Sequence, residues 1–187
     1  MTHYLIEFRF QGKAKFELKR LIFEVDKKCR LNNTRRKRPI PHITLVAPFQ
    51  TNNEKNLISD FYDICSKSSI MKFTVQGFNT FENNRVVYVD IKPSDKLDEF
   101  RWELSKKLQS YCKLQPIDYE RKYYFHSTVA MKLSPNKFNQ VKYYIQRKPK
   151  LDFKHIVVRI TLIKDGKILK EYDFLQRKMF DRRLAKS

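Results

Sequence analysis

Two tripeptides have residue types and spacing that suit proton transfer: His42-Ile43-Thr44 and His126-Ser127-Thr128, which lie 84 residues apart. Both are flanked by apolar residues that favour β-strands. Residues i and i+2 of a strand face the same side, roughly 6 to 7 Å apart, so each imidazole would share a face with its threonine hydroxyl. Two such strands would surround one small anion with two imidazoles and two hydroxyls. Because one imidazole can accept a proton while the other donates one, this arrangement suits attack on a phosphodiester.

The other residues that commonly hold metals or phosphates are scattered. Cys29, Cys65 and Cys112 are far apart and lack the paired spacing of a metal clamp. His155 has no threonine two residues later, and we interpret it as a structural residue. The three glycines never occur close together, so no glycine-rich loop can cradle a phosphate. We therefore predict that the protein uses no metal and no other cofactor, and that side chains hold any bound phosphate.

Each tripeptide falls at the same point of a repeated order of elements. The alternation of residues 4–10 predicts a half-buried strand, and the apolar spacing of residues 13–30 predicts a helix. About 82 residues later the same pair recurs at residues 85–91 and 95–111. A strand followed by a helix thus precedes both tripeptides.

The strands that carry the tripeptides, 42–47 and 126–133, are each followed by a helix-start signal. Residues 51–54 form a capping box, and Ser134-Pro135 places a capping hydroxyl before a proline at the first helical position. Each half then ends in a hairpin. Two-residue turns at Asn83-Asn84 and Asp165-Gly166, where positive φ is tolerated, would join strands 71–81 with 85–91 and 153–164 with 167–174.

These elements predict an α+β, bilobal, duplicated fold with antiparallel sheets, helices packed outside and a central cleft. We expect a single domain over residues 1–187. Its two interlocked lobes, about 1–91 and 85–175, would share the strand 85–91, and a basic C-terminal tail would follow at 176–187.

The composition indicates a polyanionic partner. Forty Lys and Arg residues against twenty Asp and Glu give a net charge of +20, which makes nucleic acid the first candidate and an anionic membrane the second. No apolar run approaches the roughly 20 residues that span a bilayer, and the N-terminus lacks a hydrophobic signal core. We therefore expect a soluble protein that does not act at a membrane. The three scattered cysteines suit a reducing cytoplasm, where we expect the protein to be a monomer.

Three groups of residues are candidates for contacts with a nucleic acid. Residues 27–38 contain seven cations and no acid, including Arg35, Arg36, Lys37 and Arg38 just upstream of His42. A solvated loop is an equally good interpretation of this run. Beside the tripeptides, Phe49, Tyr124 and Phe125 are candidates for stacking on a base, although neighbours on a strand face opposite sides, so we expect at least one of them in the core. The tail 176–187 either binds RNA or is disordered.

On these features the sequence resembles the two-histidine phosphoesterase superfamily, in particular its 2′,5′ RNA ligase and cyclic phosphodiesterase branch. The resemblance implies metal-independent hydrolysis of RNA 2′,3′-cyclic phosphates to 2′-phosphates and, in some members, 2′,5′ ligation of tRNA halves. It makes His42 the general acid and His126 the general base, with Thr44 and Thr128 on the phosphoryl oxygens. Bacterial members often carry an arginine where this sequence has Met131. Strand alternation from His126 suggests Lys132 as the replacement cation.

Two other functions stay open at this stage. One is a related enzyme that trims RNA 3′ ends or cleaves 2′,5′-linked oligonucleotides. The other is a non-catalytic, basic RNA-binding module, against which the two intact tripeptides argue, because a pure binder does not need two titratable groups.

Overall fold

The computed structural model describes residues 2–32 and 39–181. Its helices are α1 (Gly12–Lys28), α2 (Glu54–Lys67), α3 (Asp95–Leu108) and α4 (Pro135–Gln146). Its strands are β1 (Tyr4–Arg9), β2 (His42–Phe49), β3 (Met71–Phe81), β4 (Val86–Pro93), β5 (His126–Ala130), β6 (Asp152–Val157), β7 (Arg159–Lys164), β8 (Lys167–Asp173) and β9 (Lys178–Asp181). None of the described helices is both long and apolar enough to cross a membrane.

The strands form two antiparallel sheets, which confirms the predicted α+β fold class. The five-stranded sheet has the order β2-β1-β7-β8-β9, and the four-stranded sheet has the order β5-β4-β3-β6. In each sheet the strand that carries a tripeptide lies at one edge. Apolar residues at helical spacing bury one face of every helix, as with Leu57, Phe61 and Cys65 of α2.

Each of the two sheets contains strands from both halves of the sequence. Residues 153–164, predicted as one strand, divide at Val158: β6 pairs with β3, whereas β7 pairs with β1 in the other sheet. The prediction of one continuous strand was wrong, because an apolar run does not reveal where a chain leaves one sheet for another. The lobe boundaries 1–91 and 85–175 therefore describe the sequence repeat, while each sheet takes strands from both halves.

Of the two helix starts predicted from sequence, the one at Ser134 is confirmed and the one at residues 51–54 is not, while Ser94 caps α3 without having been predicted. The hydroxyls of Ser94 and Ser134 accept backbone N–H groups at the starts of α3 and α4. The predicted capping box at residues 51–54 was wrong. The side chain of Asn53 caps α2 by accepting the N–H of Asn56 at 3.1 Å, and Thr51 Oγ1 accepts the N–H of Asn53 instead.

One of the two hairpin turns has the predicted form. Asp165 and Gly166 have φ values of +47° and +75°, as a two-residue turn between antiparallel strands requires. The turn between β3 and β4 is longer than predicted. It spans residues 82–85, is closed by a hydrogen bond from the N–H of Arg85 to the carbonyl of Glu82, and places Arg85 at φ +49°.

Candidate active site

The two tripeptides meet where the two sheets meet. His42 is the first residue of β2 and His126 is the first residue of β5. These strands are edge strands of different sheets, and they contact each other. The contact between the sheets therefore brings together two tripeptides that are far apart in sequence.

Both histidines have the same backbone partner geometry. Nδ1 of His42 lies 2.8 Å from the carbonyl oxygen of Ile40, and Nδ1 of His126 lies 2.8 Å from that of Tyr124. A carbonyl oxygen can only accept a hydrogen bond, so Nδ1 carries the proton in each neutral ring. Nε2 is then the nitrogen that can gain or lose a proton.

A partly buried ion pair between Arg9 and Glu7 lies beside His42. Nε2 of His42 is 3.7 Å from Oε2 of Glu7, whose side chain is only 4% exposed. Nε of Arg9 donates to the other oxygen of Glu7 at 2.6 Å. The strand register explains this grouping, because Arg9 lies opposite His42 and Glu7 lies opposite Thr44. The sequence alone did not identify Glu7 and Arg9 as site residues. Their spacing of two puts both side chains on one face of a strand, but it does not indicate that this face lies beside a tripeptide.

His126 has an aromatic environment. The ring of Phe81 lies 5.1 Å away and nearly perpendicular, and the ring of Tyr88 lies 5.2 Å away. Burial lowers the pKa of His126, and the charge of His42 contributes in the same direction. The carbonyl of Tyr124 and the carboxylate of Asp90, which lies opposite His126 on β4, oppose this shift without reversing it. The surroundings of His126 therefore favour its neutral form.

The threonines share the faces of their histidines. Thr44 and Thr128 are each two residues beyond a histidine on the same strand, and both are partly buried. The hydroxyl of Tyr123 donates to the carbonyl of Thr44 at 3.0 Å. This bond joins β2 to the segment that leads into β5, so it fixes one tripeptide relative to the other.

A pocket of about 460 Å³ opens beside His126. Thr44, Phe81, Tyr123 and Tyr124 are among the residues that line it. Tyr124, a predicted stacking residue, is 56% exposed. The pocket therefore offers an aromatic surface next to the imidazole of His126.

The stacking role predicted for Phe49 and Phe125 is wrong. Their side chains are 1% and 2% exposed. Phe49 packs on Tyr4 with ring centroids 5.7 Å apart, and Phe125 packs on Tyr123 at 5.1 Å. Alternation along the chain accounts for the contrast at the second tripeptide, because Tyr124 faces solvent and Phe125 faces the core.

The argument that directed Lys132 into the site also fails. Strand β5 ends at Ala130, and an irregularity in its pairing with β4 interrupts the alternation between Thr128 and Ala130. Lys132 is exposed, with φ +57°. Its face therefore cannot be extrapolated from His126.

The two predicted basic segments differ in what the structure describes. Arg35, Arg36, Lys37 and Arg38 lie outside the described residues, so their predicted contact with RNA stays a prediction. The tail predicted at 176–187 contains an ordered strand, because residues 178–181 form β9 and pair with β8. Residues 182–187 lie outside the described part of the chain.

A fully buried ion pair connects helix α3 to β2 and to the segment that leads into β5. Nη2 of Arg101 donates to Oδ1 of Asp118 at 3.0 Å, and both side chains are 0% exposed. Arg101 also donates to the carbonyls of Leu45, Ile117 and Glu120. Its guanidinium lies 4.0 Å from the ring centroid of Tyr123. These contacts hold β2 and the segment before β5 to α3.

Comparisons with known proteins identify the family and the fold. The family model described as the 2′-5′ RNA ligase superfamily matches residues 14–167. The crystal structure of E. coli LigT in apo form has a TM-score of 0.57 at 14% identity, over 92% of this chain and 98% of LigT. LigT complexed with 3′-AMP gives 0.58 at 13% identity, over 92% and 96%.

A more distant structural relative is Usb1 of Kluyveromyces marxianus, with a TM-score of 0.50 at 11% identity, over 89% of this chain and 95% of Usb1. No curated protein matches the chain. At such low identity these likenesses show a shared fold.

Proposed function

Because the chain belongs to the 2′-5′ RNA ligase superfamily, we propose that it is a metal-independent RNA 2′,3′-cyclic phosphodiesterase that produces a 2′-phosphate. The observation that carries this proposal is the meeting of two histidines with equivalent geometry. Each has Nδ1 fixed by a carbonyl two residues upstream, and each leaves Nε2 available for proton transfer. Two such nitrogens at one site suit a reaction that needs a base and an acid at the same phosphorus.

In the proposed reaction a water oxygen attacks the phosphorus while Nε2 of His126 accepts the proton of that water. The bond between phosphorus and the ribose O3′ breaks, and Nε2 of His42 donates its proton to O3′. The product keeps the phosphate on O2′. Proton transfer between the two imidazoles through solvent then restores the starting state.

The unequal surroundings of the two histidines support this assignment of roles. Burial lowers the pKa of His126, which favours the neutral ring that can accept a proton. His42 lies 3.7 Å from the Glu7 carboxylate, which offers a counter-charge to a protonated ring. The threonine hydroxyls of Thr44 and Thr128 donate to the non-bridging phosphoryl oxygens and orient the phosphate for attack.

The aromatic pocket would hold the base of the terminal nucleotide. Tyr124 has an exposed ring, and base stacking on such rings contributes about 1–3 kcal/mol. E. coli LigT has been crystallised with 3′-AMP, which supports a nucleotide as ligand of this fold. We propose RNA ends with a 2′,3′-cyclic phosphate, including those of tRNA halves, as substrates of a cytoplasmic monomer.

Reversible 2′,5′ ligation belongs to the same proposal. If a ribose 5′-hydroxyl replaces water as the nucleophile, His126 accepts its proton and the same P–O3′ bond breaks. Hydrolysis and ligation then share every side chain of the site, and the concentration of RNA 5′ ends sets their ratio.

The test is incubation with an oligonucleotide that ends in a 2′,3′-cyclic phosphate, followed by identification of the product. We expect a terminal 2′-phosphate. A 3′-phosphate would contradict the assignment of O3′ as the leaving group. Matched oligonucleotides with a 3′-hydroxyl or a 2′,5′ linkage serve as controls, since shortening of either would favour the trimming or 2′,5′-phosphodiesterase alternative. Tight binding without any turnover would favour the non-catalytic module.

A further inference from the structure

Three lysines lie on the same face of the four-stranded sheet as His126. Asp90 of β4 lies opposite His126, and Lys92 is two residues further along the same strand. Thr74 of β3 lies opposite both Lys92 and Lys154, and Lys72 is two residues before Thr74. Directly opposed residues of antiparallel strands share a face, and so do residues i and i+2. We call Lys72, Lys92 and Lys154 the lysine stripe.

The stripe has unpaired charge. All three lysines are exposed. None of the salt bridges formed within residues 2–32 and 39–181 involves any of them. They line a pocket of about 540 Å³ together with Thr74, Gln76 and Ser94. Two acids, Asp90 and Asp152, share this face through the strand register.

On the corresponding face of the five-stranded sheet, the two arginines Arg9 and Arg159 are paired with acids. Arg9 is paired with Glu7, which lies opposite Thr44. Arg159 is paired with both Glu171 and Asp173. All three acids are buried, so these arginines are already neutralised. Among the described residues of this face, the exposed Lys178 of β9 lies opposite Asp173, four strands away from β2. The unpaired lysines of the four-stranded sheet begin closer to the histidines, on β4, which is the neighbour of β5.

We propose that the lysine stripe binds the nucleotides of a single-stranded RNA that lie upstream of its reactive 3′ end. This inference rests on the proposed function and adds the path of the substrate. Because the cyclic phosphate is at the 3′ terminus, all the remaining RNA lies on its 5′ side. The stripe is an electrostatic track for that part of the RNA, and the contacts are to phosphates and independent of sequence.

The size of the path follows from strand geometry. At about 4.8 Å between strands and 3.3 Å per residue, the Cα of Lys92 is roughly 8 Å from that of His126, and the Cα of Lys154 is roughly 16 Å away. At a rise of about 3.4 Å per stacked nucleotide, the stripe reaches on the order of four or five nucleotides upstream. Further lengthening of the RNA should then add little affinity.

The experiment compares two triple variants. The test variant is Lys72→Gln/Lys92→Gln/Lys154→Gln. The matched control is Lys55→Gln/Lys67→Gln/Lys106→Gln, which removes the same charge from exposed positions of α2 and α3. Glutamine keeps the aliphatic stem in each case. Equilibrium binding of an octanucleotide with a 3′-hydroxyl end is measured between 0.05 and 1 M salt, so that the result does not depend on turnover.

We expect the test variant to lose about 2 units of the slope of log binding constant against log salt, since each phosphate contact to a single strand contributes about −0.7. That change corresponds to binding up to about 100-fold weaker at 0.1 M salt and much less affected at 1 M. Asp152→Asn should act in the opposite direction and tighten binding. An equal slope and affinity in the test and control variants would overturn the proposal.

A second measurement separates this inference from the proposed function. The KM of the wild-type protein for oligonucleotides with a cyclic phosphate should fall with length up to about four or five nucleotides and then level off. In the test variant this dependence on length should flatten, while a cyclic mononucleotide is still hydrolysed. If the wild type hydrolyses none of these substrates but the binding result holds, the stripe stands and the catalytic proposal fails.

Discussion

The buried ion pair of Arg101 and Asp118 is the contact whose loss should destabilise the protein most. Replacing Arg101 by Met leaves a carboxylate without its counter-charge in a site that is 0% exposed. Removing one partner of a buried pair costs about 3–5 kcal/mol, a large part of the roughly 5–15 kcal/mol that stabilises a domain. At about 2–4 °C per kcal/mol for a chain of this size, Tm should fall by roughly 6–20 °C.

Urea unfolding at pH 7 measures this cost. Arg121→Met is the matched control, because Arg121 pairs with Asp98 and Glu99 at the surface and is 45% exposed, where such pairs contribute about 0–1 kcal/mol. Asp118→Asn combined with Arg101→Met should be more stable than Arg101→Met alone, since it removes the unpaired charge. A cost for Arg101→Met no larger than that of the control would refute the reasoning.

Three further predictions concern activity. The pH profile of turnover should be bell-shaped, with its acidic limb below the ordinary histidine pKa of about 6.5. The reason is that burial lowers the pKa of His126, so this base stays neutral at lower pH. An acidic limb above a pH of about 6.5 would contradict this. Tyr124→Ala should raise KM by about 5- to 150-fold through lost stacking, whereas Tyr124→Phe should change it little, and equal effects would exclude stacking. Activity should survive EDTA, because no group of three His, Cys, Asp or Glu in the described residues could hold a metal ion; loss restored by one metal would disprove the mechanism.

Part of the candidate site could be predicted from the sequence, because local periodicity determines which side chains of a strand share a face. Spacing of i and i+2 places Thr44 with His42 and Thr128 with His126, and duplication indicates that the two strands have equivalent roles. Glu7 and Arg9 needed information of another kind. Their place beside His42 depends on the register between β1 and β2, which a single sequence does not encode locally.

Periodicity fails where a strand is interrupted. An irregularity in β5 and the end of the strand at Ala130 removed the basis for placing Lys132. The break at Val158 sends β6 and β7 to different sheets, although residues 153–164 have the pattern of one strand. At Phe49 and Phe125 residue type alone favoured stacking on a base, whereas both rings are needed to fill the core.

The most direct test of the central claim is turnover of a 2′,3′-cyclic mononucleotide by His42→Ala and His126→Ala, with folding checked by circular dichroism. Each variant should lose about 10²- to 10⁴-fold in turnover, the range for one general acid or base. The double variant should lose less than the product of the two effects, since both groups act on one transition state. His42→Ala should also lose the alkaline limb of the pH profile and His126→Ala the acidic limb. Turnover close to that of the wild type in either folded variant would contradict catalysis by this pair of histidines.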